Sequence, residues 1–177
     1  MEIEIAAYYP KAFLARQGAS PDEVAERLRQ VGAAFLAALE PLDDAVFARP
    51  VAVGKWSPAQ IADHLVRANQ LFARAIEGAS ADGETLRMAR GRVTADGRAI
   101  APAEQEPIPN RVRGDLMRDF QTSLERLIGA GQRAEPGMIC LEHSFFGEMT
   151  VLEVLQLAAW HVLHHTKQLP GSPPQAA

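Results

Sequence analysis

In four stretches of the chain, apolar residues recur every three or four positions, and each stretch predicts a helix with one buried stripe. The first stripe is Val24, Leu28, Val31, Phe35 and Leu39. Ser20-Pro21-Asp22-Glu23 stands before it. Ser20 can cap free amides, Pro21 suits the first turn, and Glu23 can reach back to complete a capping box. Pro41 ends this helix. The second opens at Ser57-Pro58-Ala59-Gln60, carries Ile61, Leu65, Ala68, Leu71, Phe72 and Ala75, and is expected to stop near Gly78. The third is expected to begin around Asn110, with Val112, Leu116, Phe120, Leu124 and Leu127 inward and Gly129 and Gly131 at its end. The fourth opens on Thr150-Val151-Leu152-Glu153, a third capping box, and runs to Gln168 before Pro170.

The connections carry no such period. Ala79 to Pro109, about thirty residues rich in Gly, Pro, Arg and Ala, reads as a long crossover. A helix of about eighteen residues is ~27 Å long, so this stretch can easily run its length. Segments 46–53 and 137–149 read as loops with short extended pieces. The pattern predicts an all-α fold, a four-helix bundle with a long crossover connection. Residues 1–169 form the expected single domain, and the Pro/Ser-rich residues 170–177 a flexible tail.

Composition narrows the function classes. Of 177 residues, 47% are hydrophobic and 23% charged, the mix of a globular protein. A formal net charge of −4 gives no electrostatic footprint for nucleic acid. The N-terminus carries two early acids and no long apolar run, and resembles neither a secretory signal nor an anchor. No stretch approaches the roughly 18 uninterrupted apolar residues of a membrane span. Cys140 is the single cysteine, so no intramolecular disulfide forms, and a cytoplasmic protein is expected.

Three of the five histidines, His161, His164 and His165, crowd into the last helix. At ~100° per residue, His161 and His165 lie about 40° apart, on the face of Val154, Leu157, Ala158 and Gln168. His164 falls about 60° to the other side, at the edge of the buried face. On the second helix, His64 shares the face of Gln60, Ile61, Ala68, Leu71 and Ala75. Three imidazoles from two helices can therefore meet inside the bundle. Neutral imidazole is the commonest metal ligand, and three of them leave a coordination position open, as in catalytic sites. The alternative is three core histidines satisfied by carbonyls or water. Asp63 and Glu153 lie on the wrong faces to join the group. Gln168, three residues after His165, either orients a ligand or is an ordinary polar residue near a helix end. Trp56 is expected to staple the second helix and Trp160 to pack. Glu142 and His143 are expected in a solvated loop, and Cys140 as a buried, inert thiol.

Trp56-Ser57-Pro58, His64-Leu65 and His161-x-x-x-His165-x-x-Gln168 together resemble the DinB superfamily of bacterial four-helix bundles. The stretch SFFGEMTVLEVLQLAAWHVLHHTKQL is similar to that superfamily's last helix and the entry before it. The resemblance implies an up-up-down-down bundle, often a homodimer. It implies a divalent metal, usually zinc or nickel, held here by His64, His161 and His165. Members with known activity include transferases and isomerases that use a low-molecular-weight thiol such as bacillithiol or mycothiol. The crossover from Ala79 to Pro109 departs from the pattern.

Two functions follow as expectations. One is a metal-dependent enzyme acting on a small-molecule substrate, in which the metal stabilises a thiol or water as the anion. Attack on an electrophilic carbon then gives thiol transfer, isomerisation or hydrolysis. The other is a non-catalytic dimeric bundle that binds a small ligand or a partner, with a structural or vestigial histidine cluster. Neither involves nucleic acid or a membrane.

Overall fold

In the computed structural model, which describes residues 2–171, four of the five α-helices start where a side chain caps free amides. α1 spans Pro21–Leu39, with the Ser20 hydroxyl accepting from the Glu23 amide at 3.3 Å. The Glu23 carboxylate reaches one residue beyond the cap, accepting from the Ala19 amide at 2.9 Å. A short α2, Asp44–Ala48, is capped by Asp43. α3 spans Pro58–Asp82 and α5 spans Val151–Thr166; both open on complete capping boxes, Ser57 with Gln60 and Thr150 with Glu153. α4 spans Arg113–Arg133.

Four boundaries differ from expectation. α3 passes through Gly78 and closes at Gly83, whose φ of 70° is the left-handed cap that glycine adopts readily. α4 begins at Arg113, so Val112 is its exposed N-cap and not part of the buried stripe. It also continues through Gly129 and Gly131. Gly131 lies against Leu155, where an added Cβ would fall 2.6 Å from that side chain, so this glycine serves close helix packing. α5 ends at Thr166, which leaves Gln168 in the exposed turn that follows. The expected tail is outside the described residues from 172 onward.

The connections hold more order than expected, and the fold is not purely α. Strands β1 (Glu2–Glu4), β3 (Arg92–Thr94) and β4 (Ala99–Ile100) pair antiparallel in the order β1-β3-β4. In a second sheet, β2 (Leu86–Arg87) runs parallel to β5 (Ile139–His143), which forms a hairpin with β6 (Gly147–Thr150). Backbone amides and carbonyls need partners, and short strands supply them where no helix does. β6 ends on Thr150, which is also the cap of α5, so the hairpin sets the start of the last helix.

α1 and α3 each pack against both α4 and α5. The core between them includes Phe35 and Phe120, whose ring centroids are 4.8 Å apart, with Leu28, Leu65, Leu127 and Val154. The packing of α3 on α5 brings the second and fourth predicted helices face to face. The crossover is fastened at its far end. Asp63, fully buried, accepts from the Ile108 amide at 2.7 Å and from Arg111 Nη1 at 2.9 Å. Arg111 also pairs with Asp119. Arg113 then donates to the Leu39 and Glu40 carbonyls at 2.8 and 3.0 Å, satisfying the free end of α1.

Candidate metal centre

The stripe of α3 and the stripe of α5 bring His64, His161 and His165 together, and their nearest nitrogens all lie within 4.8 Å of one another. His161 Nε2 is 3.0 Å from His64 Nε2 and 3.0 Å from His165 Nε2. His64 and His165 are buried and His161 is half-buried.

Two of the three rings are oriented from behind. His64 Nδ1 lies 2.8 Å from the carbonyl of Gln105, which ends a 3-10 turn (Ala103–Gln105) in the crossover. A carbonyl only accepts, so Nδ1 carries the proton and Nε2 presents a lone pair. His165 Nδ1 lies 3.0 Å from Gln168 Oε1, which by the same reasoning leaves its Nε2 unprotonated. His161 Nε2 therefore faces two lone pairs and holds at most one proton to share between them.

Desolvation reinforces this. Burial pushes the His64 pKa down to about 4. His161 and His165 are also held well below the usual imidazole range, first by burial and then by the charges of their neighbours. All three are neutral at pH 7. A divalent cation suits such a donor set. Neighbouring ligands each ~2.0–2.1 Å from one ion stand about 2.9–3.4 Å apart between right-angled and tetrahedral geometry, which matches the 3.0 Å contacts.

Several other residues stand differently from expectation. Trp56 does not merely staple α3; its ring centroid lies 4.7 Å from that of His64 and 6.1 Å from that of His165, walling two imidazoles. His143 is not in a solvated loop. It is half-buried in β5, stacks on Phe146 at 5.2 Å, and accepts from the Phe145 amide at 3.2 Å. Burial pushes its pKa down to about 4, and its charge is felt at His161. Glu142 lies on the same strand, paired with Arg87 at 3.7 Å. His164 stays at the edge, stacked on Trp160 at 5.1 Å and 2.9 Å from Gln168 Nε2. Asp63 holds the crossover, and Glu153 pairs with Lys11 at 2.7 Å, so neither joins the group. Cys140 is buried and its thiol is pushed up to about 12, the state of an inert thiol. The Gln105 carbonyl is the one contributor that no side-chain pattern could signal.

The family model described as the DinB superfamily matches residues 27–169. Three solved structures share the fold. TT2238, described as a four-helix bundle protein, is 23% identical, with a TM-score of 0.64 over 84% of this chain and 97% of that one. YfiT from Bacillus subtilis, described as a probable metal-dependent hydrolase with an unusual four-helix bundle topology, is 18% identical, with a TM-score of 0.64 over 93% of this chain and 91% of that one. A mycothiol-dependent maleylpyruvate isomerase is 16% identical, with a TM-score of 0.64 over 88% of this chain. This chain spans 65% of that protein's length. No curated protein matches the sequence.

Proposed function

The chain belongs to the DinB superfamily, and from that premise we propose that it binds a divalent metal through His64, His161 and His165 and works as a metal-dependent enzyme on a small-molecule electrophile. The observation that carries this is the convergence of three neutral Nε2 atoms, two of them aimed by hydrogen bonds at the opposite ring nitrogen. Zinc and nickel are the candidate metals, since imidazole suits both.

A divalent ion in this site supplies Lewis acidity, lowering the pKa of a thiol or water so that it reacts as the anion. The protein's own residues do the rest. The Gln105 carbonyl and Gln168 Oε1 hold the Nδ1 protons of His64 and His165 and fix both rings. Trp56 covers the flank of both rings and keeps water from that side. A thiol nucleophile gives S-transfer or isomerisation, and water gives hydrolysis. The domain is taken as residues 1–169, in the cytoplasm, as length, the lone cysteine and the N-terminus lead one to expect, and the working unit as a homodimer, as the family resemblance implies. The reading involves no nucleic acid or membrane partner; no helix among the described residues is long and apolar enough to cross a membrane.

Metal analysis tests it first. The purified protein is expected to take up about one zinc or nickel ion per chain, and His161→Ala to lose at least tenfold in affinity. Sub-stoichiometric metal in the native protein, together with unchanged uptake in His64→Ala and His161→Ala, overturns the reading. A screen pairing electrophiles with low-molecular-weight thiols, run beside an ester hydrolysis screen, separates transfer from hydrolysis. Stoichiometric metal with turnover in neither screen leaves the non-catalytic bundle as the function.

A further inference from the structure

A second group of polar residues lies one turn beyond His64. Arg67, Gln70 and Arg74 share a face of α3 and, with Glu104 of the crossover, line a cleft of about 270 Å³. Arg67 Nε is buried and has no hydrogen-bond partner. Neither Arg67 nor Arg74 forms a hydrogen bond or ion pair with another described residue. Gln105, next to Glu104, is 4% exposed, and its Nε2 also has no partner. Buried polar groups are seldom left unsatisfied, and guanidinium and amide N–H groups donate only. What Arg67 Nε lacks is an acceptor: Glu104, the carboxylate that lines the same cleft, makes no hydrogen bond to it.

We propose that this cleft is a binding site for a small phosphate-type dianion, either inorganic phosphate or the phosphate of a phosphomonoester. Arg67 and Arg74 are seven residues apart, about 10.5 Å along the helix axis, so their long side chains can close on one group from both ends. Guanidinium suits phosphate because its planar fork donates two parallel hydrogen bonds. Two guanidinium charges match a dianion, with Gln70 between them to donate a further bond. Glu104, at the rim, weakens the site by like-charge repulsion. The cleft does not depend on the histidine triad. Gln105 links the two, because its carbonyl holds His64 while its neighbour Glu104 borders the cleft.

Phosphate and glycerol phosphate are titrated by calorimetry into the full-length protein at constant ionic strength, as purified and after chelator treatment. Saturable binding of one equivalent is expected, equal in both preparations. Arg74→Gln, on an exposed position, should weaken it at least tenfold without changing the melt, and Arg67→Gln likewise. Glu104→Gln should tighten it several-fold. Tighter binding of the ester points to a phosphorylated metabolite, and equal binding to the free anion; either order supports the site. Binding that disappears on chelation belongs to a metal at the triad and overturns the proposal. So does binding that is absent, unsaturable or indifferent to both arginine substitutions.

Discussion

Two imidazoles of the triad are each held by the nitrogen that faces away from the cluster. For His165 that anchor is Gln168, a side chain in an exposed turn. Removing such an anchor commonly costs tenfold to a hundredfold in metal affinity. Gln168→Leu is therefore expected to lower affinity by roughly that factor in competition with a chromophoric chelator. Gln168→Glu, which keeps an acceptor, should lose much less. Acid should be felt throughout this region. His64 and His143 titrate near 4 in the folded protein, against 6.5 when exposed. The unfolded chain thus binds more protons between those values, so stability is full above about pH 6.5 and falls as pH drops towards 4. Thermal melts of the metal-free protein across that window should show the decline, with a shallower slope in His143→Phe. The imidazoles themselves were legible in the sequence because the helical period gives direction as well as burial. That reading set His161 and His165 inward and His164 at the edge. The Gln105 carbonyl was not legible, since a backbone group has no side-chain signature. Nor was the packing of His143, because two-residue and five-residue strands carry too little alternation to show a period.

Consecutive residues of α3 govern the crossover: Asp63 takes the Ile108 amide and Arg111, and His64 takes the Gln105 carbonyl. One turn of helix thus fixes both the proposed metal ligand and the segment that orients it. Breaking a buried ion pair from one side typically costs about 3 kcal/mol or more. Asp63→Ala should lose roughly 3 kcal/mol in urea denaturation and also weaken metal uptake, because Gln105 is then less firmly placed. Glycines inside helices tell a related story. Gly78, Gly129 and Gly131 read as stop signals, but helix ends are decided by capping geometry and packing as well as by propensity. At Gly131 the partner helix comes so close that a Cβ would lie 2.6, 2.7 and 2.9 Å from three Leu155 carbons. Alanine there gains about 1 kcal/mol of helix propensity, but overpacking costs about 1–3 kcal/mol. Gly131→Ala is expected to lower stability on balance, and Leu155→Ala in the same chain should relieve the crowding part of that loss. Helix starts were read more accurately than helix ends, because Ser57 and Thr150 announce them with side-chain hydrogen bonds that the sequence displays.

At the scale of the molecule, α3 and α5 are neighbours that belong to distant parts of the chain. His64 and His161 are 97 residues apart, and α4, the crossover and five of the six strands, β2 to β6, lie between them. In an unfolded chain, closing a loop of that size costs on the order of 4–5 kcal/mol, whereas in the fold the loop is closed already. An ion that prefers this triad therefore binds the folded chain far more tightly than the unfolded one. With metal bound as proposed, the protein behaves as a gauge of its own supply. Once free metal exceeds its dissociation constant, each further tenfold rise adds about 1.4 kcal/mol, or roughly 3–6 °C of melting temperature for a domain of this size. Melts in a series of metal buffers should climb in a straight line against the logarithm of free ion, with the slope abolished in His161→Ala. Through that slope, the distance along the chain between two histidines becomes a dependence of the protein's lifetime on the metal around it.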